Sequence, residues 1–64
     1  MRLTVFWDRM NRQFGETYAA SVAKDYVLEG VGGRTASQAL ADGEDVRTVW
    51  LAVCEAFDVP ENLR

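Results

Sequence analysis

The chain has 64 residues, 48% hydrophobic and 27% charged, with a formal net charge of −3. That balance belongs to a folded domain and excludes a disordered or fibrous chain, and no apolar stretch approaches the roughly 20 residues of a membrane span. Histidine is absent and cysteine occurs once, so the commonest general base and metal ligand is missing and no intrachain disulfide can form.

A chain this short is expected to form one helical domain over residues 1–64. It buries only about 60% of its unfolded surface, so every large apolar residue counts toward the core. Charge is unevenly spread. Residues 1–34 carry five basic and four acidic side chains, and residues 35–64 carry two and six, giving +1 and −4. Acidic surface repels a phosphate backbone, so any nucleic-acid face would have to lie in the first half. Met1-Arg2-Leu3 runs directly into an amphipathic pattern with no apolar leader, and a lone thiol suits a reducing compartment. The expected location is cytoplasmic, with no membrane partner.

In chain order, Thr4 is the predicted N-cap of a first helix that runs to Phe14 and stops at Gly15. Leu3, Phe6, Trp7, Met10 and Phe14 share one face, and Asp8 and Arg12 stand four apart as an ion pair. A second helix is predicted from Glu16 or Thr17 to Leu28, with Tyr18, Ala19, Val22, Ala23, Tyr26 and Val27 inward and Glu16 at the positive end of its dipole. Gly30-Val31-Gly32-Gly33 breaks the chain. Thr35 and Gln38 have capping-box spacing for a short third helix, with Ala36, Ala39 and Leu40 inward and Gly43 as stop. Asp45 caps the fourth and clearest helix, in which Val46, Val49, Trp50, Val53, Cys54 and Phe57 form a single stripe. Pro60 ends that run and opens a final turn seating Val59 and Leu63. No strand pattern is found. The expected fold is all-α: four short helices around Phe6, Trp7, Met10, Phe14, Val22, Tyr26, Leu40, Val49, Trp50, Val53 and Phe57.

Little is left over for chemistry. Cys54, placed among Trp50, Val53 and Phe57, reads as an inert packed thiol. Asp42, Glu44 and Asp45 could hold a divalent cation, but Asp45 is needed as a cap and Asp42-Gly43 as a helix end. Tyr18 and Tyr26 read as core residues with their hydroxyls at the rim. No catalytic, cofactor-binding or metal-ligating residues are assigned. Gly33, Arg34 and Thr35 lead glycine-rich backbone into a helix N-terminus, an arrangement that attracts anions, although it serves equally as a connector with Arg34 solvated. Ala39, Gly43 and Val49 reproduce a helix-turn-helix skeleton whose second helix would expose Arg47, Thr48 and Leu51. Exposed Val5 and Leu51, or an edge of Trp7 or Trp50, would instead suit a protein partner.

Three strings occur together: Leu3-Thr4 with Phe6-Trp7 and Arg9-Met10; Gly32-Gly33-Arg34-Thr35 with Ala39-Leu40 and Gly43; and Val49-Trp50 with Ala52-Val53-Cys54 and Val59-Pro60. In these the chain resembles, over essentially its whole length, the small actinobacterial family known as domain of unknown function 3046. The resemblance implies a short helical cytoplasmic protein and transfers no catalytic residues. It also implies a gene lying beside those of the recombinase and its regulator. The expectation is therefore a non-enzymatic interaction or regulatory module with a protein partner and no cofactor. The alternative is a nucleic-acid-associated module using Arg9, Arg12 and Arg34.

Overall fold

The computed structural model describes residues 1–60 and 62. The strongest sequence signal becomes the central element, α4 (Val46–Phe57), whose first turn is capped by the Asp45 carboxylate accepting from the Thr48 N–H at 3.3 Å. Val49, Trp50, Val53 and Cys54 are fully buried, and Val46 and Phe57 pack half-buried against them. The helix ends at Asp58, which takes a left-handed conformation (φ 54°, ψ 48°), so that the Val59 N–H reaches back to the Cys54 carbonyl at 3.1 Å. This closure turns Val59 into the core, where it is buried. The predicted seat of Leu63 falls outside the described residues.

Two helices that pack on each other, α1 (Leu3–Phe14) and α2 (Glu16–Asp25), join through Gly15 alone. Its N–H closes α1 on the Asn11 carbonyl and its carbonyl accepts the Ala19 N–H that opens α2, both at 2.8 Å. One residue can serve both ends because φ is +83°, a region that glycine enters without strain. The predicted Thr4 cap is not used. Extended Arg2 precedes the helix, and its carbonyl accepts from Val5 and Phe6, which puts Thr4 inside the first turn. Phe6 and Met10 are fully buried, with Trp7 and Phe14 half-buried beside them, while Leu3 on the same stripe is 49% exposed. Phe6 centres an edge-on aromatic group, 5.3 Å from the Trp7 ring and 6.1 Å from that of Trp50.

The second helix stops three residues short of the predicted Leu28. Tyr26 turns extended, and β1 (Val27–Leu28) pairs antiparallel with β2 (Arg34–Thr35), Val27 opposite Thr35 and Leu28 opposite Arg34. The fold is mostly helical with a two-stranded sheet, and this corrects the all-α expectation. Strand alternation sends Leu28 into the core and leaves Val27 56% exposed. A single 3-10 turn (Glu29–Val31) closes the hairpin, and left-handed Gly32 and Gly33 donate to the Glu29 and Leu28 carbonyls at 3.0 Å. This turn lies across α4. The short α3 (Ala36–Ala41) follows, with the Thr35 hydroxyl accepting from the Gln38 N–H at 3.2 Å. Only half of the predicted capping box forms, because the Gln38 amide donates to Asp42 at 2.9 Å.

Candidate functional site

Arg34, the residue most suggestive of an anion site, is already engaged at three nitrogens. Nε donates to the Val31 carbonyl at 2.7 Å, Nη1 to Asp42 at 3.1 Å and Nη2 to Glu44 at 2.8 Å. Two carboxylates against one guanidinium leave the cluster at −1, which repels an anion. The hydrogen bonds, to Glu44 first and Asp42 second, raise the Arg34 pKa above its ordinary value, so the side chain stays cationic. What the sequence offered as a solvated arginine is a strap tying β2 to the turn between α3 and α4. Gly33 shapes the hairpin and Thr35 caps α3. The acidic knot is divided: Asp42 and Glu44 hold Arg34, and Asp45 caps α4.

Arg12 pairs with Asp8 at 3.1 Å, as the spacing predicts, and Arg9 is half-buried on the same helix. The Ala39–Gly43–Val49 skeleton is realised, with both aliphatic residues fully buried and Gly43 at the corner. The second helix of that unit is, however, the core helix of the molecule, and Thr48 on its exposed side is held by Asp45.

A different surface collects what the sequence assigned to the core. Tyr18 and Tyr26 are 58% and 44% exposed, against the expectation that the α2 stripe is buried. Their rings continue a chain of edge and tilted contacts: Tyr18 to Phe14 at 5.8 Å, Phe14 to Phe57 at 5.0 Å, and Phe57 to Tyr26 at 4.5 Å. The four rings join the ends of α1, α2 and α4 and reach solvent at both tyrosines. On one side of Tyr26 lies a shallow depression of about 210 Å3 bounded by Tyr18, Ser21, Val22 and Asp25. On the other, a cleft of about 350 Å3 opens between the hairpin and α4.

The sequence matches the family described as Protein of unknown function (DUF3046) over residues 1–62. The chain belongs to the DUF3046 family. A protein of Mycobacterium tuberculosis, named provisionally as part of an envelope-preserving system, is 49% identical over 39 residues. That stretch is 61% of this chain and 14% of the relative, so the chain spans a small part of the relative's length. No solved structure matches it. Membership of this DUF3046 family attaches no activity to any residue above.

Among the described residues no helix is long and apolar enough to cross a membrane. The same residues bring no three His, Cys, Asp or Glu side chains together in a metal-holding group. Sequence reasoning missed the cleft and its floor, where Gly30 sits directly on Ala52. A signal was present: Ala52 and Ala56 stand four apart on α4, and small residues at that spacing allow backbone to approach a helix closely.

Proposed function

We propose that this domain is a non-enzymatic module that docks a protein partner on the face formed by Phe14, Tyr18, Tyr26 and Phe57. One observation carries the reading: two tyrosines stand exposed on an unbroken run of aromatic contacts, with exposed Val27 next to Tyr26 in the chain, in a protein that has few large apolar residues to spare. Exposed aromatic surface is costly in water and is the composition of binding hot spots. The absence of histidine supports a non-enzymatic role. A buried thiol supports a reducing, cytoplasmic setting. Recurrence of a matched stretch inside a much longer mycobacterial protein supports a portable module. The provisional name of that relative makes maintenance of the cell envelope one process in which such a module would serve. Arg12 and Arg34 both have carboxylate partners, which weakens the nucleic-acid alternative.

Photo-crosslinking amino acids at positions 18, 26 and 47, introduced in the native cell, test the proposal. Discrete, nuclease-resistant protein adducts are expected from the first two positions and not from the third. Adducts to nucleic acid, or equal labelling from all three, would overturn it.

A further inference from the structure

The cleft beside Tyr26 has a composition of its own. Gly30, Ala52 and Ala56 give it a floor without bulk, and Val27 and Tyr26, whose ring packs at 51° to Phe57, also line it. Glu29 and Glu55 line it, both exposed. Neither carboxylate has an ion-pair partner among the described residues, and no lysine or arginine lines the cleft. The other two-carboxylate site of the chain contrasts with it: Asp42 and Glu44 are both satisfied by the fork of Arg34.

We propose that this cleft receives an arginine side chain presented by the partner protein. The aliphatic stem lies along Ala52 and Ala56, and the guanidinium meets Glu29, Glu55 and the face of Tyr26. Each part follows from chemistry. A guanidinium is planar and weakly hydrated, stacks on aromatic faces and donates in a fork to carboxylates, whereas an ammonium is a compact, strongly hydrated point charge. A cleft of about 350 Å3 lies at the small end of the range for ligand pockets and holds one long side chain with its flanking backbone. Negative charge around an apolar floor disfavours an acidic or phosphorylated segment. The inference rests on the protein-docking reading above and adds the chemistry of the partner.

The test is an amide chemical-shift titration of the whole chain with the capped pentapeptide Ala-Ala-Arg-Ala-Ala, repeated with citrulline in place of arginine. Citrulline keeps the shape and removes the charge. Saturable shifts confined to Gly30, Ala52, Glu55, Ala56 and their neighbours are expected for arginine alone. Affinity is expected to fall about two- to fivefold in Glu55→Gln or Glu29→Gln, the size of one lost exposed charge contact. Both substitutions are at exposed positions, and their unperturbed spectra report that the fold is intact. Equal shifts with citrulline, shifts elsewhere on the surface, or no saturation with either peptide would overturn the arginine assignment. Crosslinking from Tyr18 and Tyr26 separates the two failures: if it persists while the peptides fail, the docking face stands and only the arginine falls.

Discussion

Gly30→Ala is the sharpest probe of how the hairpin meets α4. A Cβ built on Gly30 would lie 2.8 Å from the Ala52 Cβ and 3.1 Å from its Cα. Neither atom is the end of a flexible side chain, so the 3-10 turn must lift off the helix or α4 must shift. Overpacking of this kind costs about 1–3 kcal/mol, and the loss of glycine freedom in the unfolded chain returns about 0.4–1 kcal/mol. The net expectation is destabilisation by about 1–2 kcal/mol, a fall in Tm of roughly 4–16 °C for a domain of this size. Thermal and urea unfolding followed by far-ultraviolet circular dichroism measure it, together with Ala52→Gly and the double variant. Ala52→Gly alone costs about 1 kcal/mol in helix propensity. In the double variant the new methyl occupies the space of the old one, so the cycle should show favourable coupling of about 0.5–1.5 kcal/mol. Rescue is incomplete because the 3.1 Å approach to the Ala52 backbone remains. A Gly30→Ala protein that melts at or above the parent temperature, or a strictly additive cycle, would refute this account of the contact.

Trp50→Ala, at a fully buried site, should lose about 3–5 kcal/mol and leave little cooperative unfolding, while half-buried Phe57→Ala should lose less. Melting curves of the two in the reverse order would contradict the assignment of the core. Arg34→Gln should lower Tm by breaking the strap between β2 and the α3–α4 turn. The raised Arg34 pKa sets the sign of its pH dependence: its contribution is fully present below the unfolded-state pKa and is lost only as strong alkali is reached. The Tm difference between parent and variant should therefore stay constant from neutral to mildly alkaline pH, and a difference that shrinks over that range would refute the strap. Asp58→Gly should leave stability unchanged or raise it by up to about 1 kcal/mol, because glycine adopts φ 54° without steric cost; a clear loss in denaturant midpoint would mean that the aspartate side chain stabilises the helix end.

Local chemistry made much of the fold legible. Period-3.6 patterning and a capping aspartate located the start and the buried stripe of α4, although the helix stops at Phe57 on left-handed Asp58, ahead of Pro60. Gly15 marked the boundary between α1 and α2 because a positive φ is written into the residue type itself. Asp8 and Arg12 pair because their spacing alone brings them together on a helix. The candidate site was less legible. Arg34, Gly33 and Thr35 were singled out by their order in the chain, yet the partners of Arg34 lie eight and ten residues on, across a turn whose geometry no local pattern specifies.

The sequence by itself determined where the four helices begin and which residues are apolar, since propensity, caps and periodicity act over a few residues. Tertiary structure decided what those apolar residues face. Val27 and Leu28 continue the helical pattern of α2, but pairing with Arg34 and Thr35 outweighs that weak propensity and makes them a strand. Tyr18, on the apolar side of α2, and Tyr26, just past its end, nevertheless stand in solvent. Periodicity records that a helix has an apolar side, and whether that side is covered depends on which elements lie across from it. Here the fold covers Ala19, Val22 and Ala23 and leaves the tyrosine rings beyond them exposed.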